Sequence, residues 1–152
     1  MAVWTEPGRL FYSRAESMLN RSKTNARPGE NLTLRNSYAR AHVACELGWF
    51  LPKHFERHAA AETHHIFGGT SGRTDLVSNL IRVSWENHAW CHKFPADGRI
   101  CCLFVKHEKG ELDPAEFQAA SGMMLPGWLL KVDRVRNEFV RPMLERLRRL
   151  YP

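Results

Sequence analysis

Hydrophobic positions recur at three- and four-residue steps in two long parts of the chain. From Asn36, "NSYARAHVACELGWF" places Tyr38, Ala41, Cys45 and Trp49 on one stripe, which predicts an amphipathic helix capped by Asn36 or Ser37 and stopped by Pro52. "KHFERHAAAE" then predicts a further helical turn or two. Near the end, "VDRVRNEFVRPMLERLRRL" sets Val132, Val135, Phe139, Met143, Leu147 and Leu150 on one face among arginines, a helix kinked or restarted near Pro142. "DPAEFQ" starts another, with Asp113 as N-cap, Pro114 at the first helical position and Glu116 at the third, the layout of a capping box. "RLFYSRAESMLNR" reads as a short peripheral helix between the breaks at Pro7-Gly8 and Pro28-Gly29.

A period of two replaces these steps in "LIRVS", where Leu80, Arg82 and Ser84 alternate with Ile81 and Val83. "GRICCLFVKH" is dense in β-branched and aromatic residues and predicts a short strand or buried segment ended by "EKGE". Between "THHIF" and "LIRVS", Gly68, Gly69 and Gly72 supply a wide turn in "GGTSGRTDLVSN". The central order is therefore strand, loop, strand, helix. No internal repeat or low-complexity tract interrupts it.

Composition narrows the class. At 152 residues the chain holds one domain with a real core, and 43% hydrophobic residues with five Trp argue against disorder over its length. Three stretches divide it: a basic, mainly helical segment 1–57, a core 58–95 and a mainly helical extension 96–152, packed as one compact domain. A net charge of +6 suits a polyanionic partner such as nucleic acid or an anionic membrane surface, and charge alone does not choose between them. Arg9, Arg14, Arg21, Arg27 and Arg35, with the arginine-lined C-terminal helix, are candidates to grip backbone phosphate. No run approaches the ~18 apolar residues of a spanning helix, and the opening residues lack a secretory layout, so a cytoplasmic protein is expected. Cys45, Cys91, Cys101 and Cys102 show no Cys-x-x-Cys pair and read as buried thiols.

The histidines change the picture most. Four of the eight lie in residues 61–93: His64 and His65 adjacent, His88 and His92 four apart. Strand alternation separates the first two, so they cannot simply share one role. On a helix, His88 and His92 share a face at a spacing that grips one cation. A hairpin folded onto that helix would bring His64 beside them, giving a three-histidine site with open positions. His54 and His58 form another i, i+4 pair without further ligands, and His42 and His107 carry no signal.

The order His64-His65, Asn79, His88, His92 resembles the His-Asn-His (HNH) nuclease motif, in the spacing of the DNase domains of colicins and pyocins, with Glu62 two residues before the pair. "NHAWCHKFPADGR" is similar to small HNH proteins of phages and prophages. The resemblance covers residues 58 to 95 well and extends loosely to 113. It implies an α+β fold in which a ββα-metal hairpin and helix are surrounded by additional α-helices. It implies hydrolysis of DNA phosphodiesters, with His64, His88 and His92 holding one divalent ion (Mg²⁺, Mn²⁺, Ni²⁺ or Zn²⁺) and His65 as the general base. Asn79 would brace the loop, Glu62 would orient a basic side chain or a water, and Arg73 and Lys93 would contact phosphate. Products with 5′-phosphate and 3′-hydroxyl ends and a phage or prophage DNA-processing role follow from the same resemblance. Most phage-type members carry Cys-x-x-Cys pairs around the hairpin that bind a structural zinc; this chain has none, so packing must replace them.

Two other readings stand beside the nuclease. One is a non-catalytic nucleic-acid-binding module stapled by zinc, the other a basic interaction protein with buried histidines. His65 separates the first from the nuclease, because a four-coordinate structural site leaves no free imidazole facing the metal.

Overall fold

A lysine-rich and arginine-rich surface needs a core to hold it, and that core is built on a helix where the sequence pattern suggests a strand. The structure, a computed structural model, describes residues 28–68 and 73–152 together with the backbone of two short strands, β1 (Val3–Thr5) and β2 (Arg9–Phe11). The architecture is mixed α and β, mostly helical, with small two-stranded antiparallel sheets. Arg9–Phe11 pairs with Val3–Thr5 instead of opening a helix. Aromatic and β-branched residues on either side of Pro7-Gly8 favour that pairing. The remainder of the expected helix, with Arg14, Arg21 and Arg27, lies outside the described residues.

The stripe beginning at Asn36 does not make one helix. α1 (Leu32–Ala41) starts earlier, capped by the Asn31 side chain, which accepts from Leu34 N at 3.0 Å. α2 (Glu46–Phe50) follows a break at residues 42–45. There the backbone is drawn into extended pairing: Cys45 N donates to His58 O and Ala60 N to Val43 O, each at 2.9 Å. These bonds replace helical ones, and the same pairing makes residues 58–60 extended instead of helical. Trp49, 56% exposed, therefore falls off the core stripe, with the Arg57 guanidinium over its ring. His54 and His58 share no helical face; His54 stacks on Phe139 and His58 meets Glu56.

β3 (Glu62–His65) and β4 (Leu80–Val83) pair antiparallel, with His64 opposite Ile81 and His65 opposite Leu80. Ser84 then caps α3 (Trp85–Lys93), its side chain accepting from Asn87 N at 3.2 Å, and the helix lies against both strands. After Phe94 the chain enters α4 (Pro95–Glu108), so "GRICCLFVKH" is the buried segment that its composition predicts, and a helix instead of a strand. Ile100, Cys101, Cys102, Leu103 and Val105 are all fully buried within it. A helix covered on all sides loses its polar stripe, so a short apolar run looks the same for either element; Pro95 at the helix start and its 14-residue length decide for helix. Gly98 lets α4 approach α3: a Cβ there would stand 2.9 Å from Cys91 Cα.

α5 (Pro114–Ser121) begins as its sequence indicates, Asp113 accepting from Ala115 N, and ends at left-handed Gly122. Glu116 does not close a capping box. It accepts from Ser78 N at 3.1 Å, while Asp113 N donates to Ser78 Oγ, so the helix start is tied to the approach to β4. α6 (Leu125–Lys131) was not legible in the pattern. α7 (Val140–Leu150) has Pro142 in its first turn and no kink, and residues 132–139 precede it as a non-helical segment. The cause is buried Asp97 on α4, whose carboxylate accepts from the backbone N–H groups of Arg136 and Asn137 and thereby fixes them outside a helix. α7 packs Val140, Met143, Leu144 and Leu147 toward the core, each side chain stabilising by about 1.5–3 kcal/mol relative to exposure. One apolar cluster runs from Cys45 to Leu147 and crosses both 57/58 and 95/96. All four cysteines are buried free thiols. Among the described residues, no helix is long and apolar enough to cross a membrane.

Candidate metal centre and its cleft

Two elements set the three histidines. β3 carries His64, and α3 carries His88 and His92 on successive turns of the face toward the hairpin. Ring centroids are 5.1 Å apart for His64 and His88, 5.7 Å for His64 and His92, and 4.5 Å for His88 and His92. Nε2 of His88 and Nε2 of His92 stand 3.0 Å apart, and ligand atoms of all three residues fall within 4.8 Å of one another. Imidazole nitrogens on one zinc-sized ion lie about 2.1 Å from it and so no more than about 4.2 Å from each other. The α3 pair is inside that limit and His64 close to it, so the donor set fits a single divalent ion.

Electrostatics favours the neutral rings that coordination requires. Burial, then repulsion from His88 and His92, pushes His64 down from its ordinary value to about 3. His88 is lowered by burial and by His92, while Glu62, whose Oε2 lies 3.8 Å from His88 Nδ1, acts the other way. A carboxylate beside the outer nitrogen of a ligating imidazole fixes the ring's tautomer and direction.

A second cluster, His64 with Cys91 and Cys102, also brings three ligand atoms within 4.8 Å. Thiols bind metal as thiolates. A hydrogen bond to Cys91 and burial hold the Cys102 thiol well above its usual range, so the imidazole set is the better donor group.

His65 is turned to a different partner. Its Nε2 lies 2.7 Å from Asp75 Oδ1 in a buried contact, while Asp75 Oδ2 accepts from Asn31 N at 2.7 Å. A carboxylate accepts only, so Nε2 carries the proton and Nδ1 is the basic nitrogen of the neutral ring. Despite strand alternation, His64 and His65 both line one cavity of about 610 Å³, because β3 ends at His65. Glu62, His88, His92, Arg73 and Arg99 line it as well.

Asn79 lies at the base of the loop. Its Oδ1 accepts from Phe67 N at 2.7 Å, and its Nδ2 donates to Phe67 O at 3.0 Å and Thr74 O at 2.9 Å. Both ends of the glycine-rich segment are thus held by one amide; Gly69 and Gly72 lie outside the described residues. Arg73 is exposed at the cavity, whereas Lys93 lines a neighbouring cavity and approaches the Phe94 ring.

Two residues of the site escape the sequence pattern: Asp75, buried behind His65, and Arg99 in the cavity wall. Asp75 gives only a weak signal, an acidic residue in a polar loop ten positions after His65. Arg99 was hidden by reading its segment as a strand. As a half-buried helical residue it donates from Nε to Ile66 O at 3.3 Å and covers the Phe67 ring. Burial lowers its pKa, but a guanidinium stays charged at neutral pH. The cavity therefore combines an imidazole cluster, a separately oriented imidazole and fixed positive charge. No family model, curated protein or solved structure matches the chain.

Proposed function

We propose that the protein is a metal-dependent endonuclease of the HNH type that hydrolyses DNA phosphodiester bonds, with β3, β4 and α3 as its ββα-metal unit. The observation that carries this reading is the division of the histidines: three converge on one point, while His65 is held apart by Asp75 and lines the same cavity. A zinc-stapled binding module has no use for a fourth imidazole oriented by a buried carboxylate.

Arg73 and Arg99 attract the phosphodiester into the cleft, since guanidinium groups match phosphate oxygens. Nδ1 of His65 takes a proton from water as the water oxygen attacks phosphorus. The bond from phosphorus to the 3′-oxygen breaks and the departing oxygen takes a proton from solvent, leaving 5′-phosphate and 3′-hydroxyl ends. Asp75 holds the His65 ring in the tautomer that accepts the proton and favours the imidazolium that results. Glu62 keeps His88 directed at the ion site. A divalent ion held by His64, His88 and His92 would supply Lewis-acid polarisation and stabilise charge on the departing oxygen. Asn79 keeps the loop that carries Asp75 closed against β4. A role in phage or prophage DNA processing rests on the resemblance of the motif alone.

The test is supercoiled plasmid cleavage with Mg²⁺, Mn²⁺, Ni²⁺ or Zn²⁺ in turn. The parent chain is expected to cut with at least one of them. His65→Ala should lose about 10²–10⁴-fold in rate, the usual contribution of general acid–base catalysis, while still binding metal. Cleavage by His65→Ala at the parental rate would remove the base assignment. A parent that binds zinc tightly and cuts nothing would return the zinc-stapled module.

A further inference from the structure

Beside the histidine cleft lies a second cavity of about 560 Å³, sharing Pro95 and Arg99 with it. Its walls come from the end of α3, the start of α4, α6 and the segment after it. Lys93, Lys131, Arg134 and Arg136 are exposed around it, and among the described residues none of them makes an ion pair. Two carboxylates also line it. Asp97 is buried and occupied by the backbone of residues 136 and 137, and Asp133 is exposed, so the cations prevail.

Positive charge alone would describe a phosphate track. The cavity also holds Phe94 and Trp128, both half-buried. Trp128 is braced edge-on by Phe67, which in turn lies under the Arg99 guanidinium. Cations around an aromatic wall are what an unpaired nucleotide needs: phosphates follow the charge, and a base leaves the stack to lie on a ring. A nucleotide paired within a duplex presents its phosphate and keeps its base face covered.

We propose that this second cavity binds the unpaired nucleotide adjoining the scissile phosphate, its base against Trp128 and Phe94 and its phosphate at Lys131 and Arg134, with Arg99 spanning both cavities. The assignment rests on the nuclease reading for what the first cavity does, and it directs the enzyme to frayed, nicked or single-stranded DNA. The wall of Trp128, Lys131 and Arg134 lies outside residues 58 to 113, the stretch that resembles the HNH motif, whereas Phe94 and Arg99 lie within it.

The test is fluorescence anisotropy of the full chain in EDTA, so that binding is read without cleavage. The probes are a fluorescein-labelled single-stranded 12-mer and the same backbone with abasic sites. The parent should prefer the base-bearing strand by about tenfold, as loss of stacking onto one aromatic predicts. Lys131→Glu with Arg134→Glu should weaken binding at least tenfold and reduce the slope of log affinity against log salt by about 0.7, one phosphate at the single-strand value. Trp128→Leu should abolish the preference for bases, and Phe94→Leu serves if that variant unfolds. Equal binding of both strands by the parent would overturn the assignment. So would an unchanged salt slope in the charge-reversed variant. If these binding results hold but the parent cuts no DNA with any metal, the hydrolase reading falls and the nucleotide site stands.

Discussion

At the residue scale, the buried pair His65–Asp75 gives the most direct prediction. Replacing Asp75 by Asn preserves shape but offers an amide nitrogen where an acceptor is needed, so His65 can rotate or change tautomer. Plasmid cleavage should fall by about 10–100-fold, the usual cost of losing a carboxylate behind a functional imidazole, while metal affinity measured by calorimetry stays at the parental level. Equal losses in cleavage and metal affinity would show that Asp75 supports the whole site and not His65. His64, His65, Asn79, His88 and His92 could be picked out from sequence because imidazole is uncommon and its spacing is diagnostic. Asp75 could not, since one carboxylate in a polar loop looks like any solvated charge until the fold buries it at 0% side-chain exposure.

At the element scale, the hairpin and α3 are legible for a definite reason: the alternating positions in "LIRVS" and the four-residue spacing of His88 and His92 act through neighbours in sequence. Asp113 and Pro114 likewise marked α5 correctly. The misread elements depend on partners far along the chain. Residues 42–45 leave the helix because residues 58–60 offer backbone bonds, and the segment 132–139 stays open where Asp97 accepts the N–H groups of Arg136 and Asn137. α4 looked like a strand because packing on all sides erased the polar positions that would have shown its period. The close approach of α4 to α3 yields a second prediction. Gly98→Ala should cost about 1–3 kcal/mol in chemical denaturation, the range for overpacking, because its methyl group meets Cys91 backbone. Since α3 carries two of the three imidazoles, metal affinity should fall in the same variant. Unchanged stability would mean that the helices separate freely.

At the scale of the whole molecule, the parts are joined by a buried ionic network. Tyr38 Oη donates to Glu46 at 2.8 Å and receives from Lys106 Nζ at 2.8 Å and Lys109 Nζ at 3.1 Å; Lys106 also meets Glu111 at 2.9 Å. Lys109 pairs with Glu46, and Glu46 accepts from Arg82 N on β4. Two lysines thus balance two glutamates among α1, α2, β4 and α4. Lys106→Met should cost about 3–5 kcal/mol, because it strands buried carboxylate charge. His42 lies against this network, its Nδ1–H donating to Tyr38 O at 2.8 Å and its Nε2 accepting from Lys109 at 3.1 Å. Burial and Lys109 push its pKa down to about 2, so the folded state refuses a proton that the unfolded chain takes up below about 6.5. Stability is therefore intact above that pH and declines as pH falls from 6.5 toward 2, by at most about 1.4 kcal/mol per unit from this one group. His42→Gln should flatten the slope of unfolding free energy against pH between 6 and 4; an unaltered slope would show that other groups set it.

The amide of Asn79, which fastens residues 67 and 74, also acts as a hem. Chain added between Gly68 and Arg73 lies beyond the fastening, and each doubling of a flexible loop costs only about 0.6 kcal/mol. Length and composition can therefore change there without disturbing the strand that holds His64 and His65. Insertion of a Gly-Ser-Gly tripeptide there should leave the melting temperature within a few degrees of the parent.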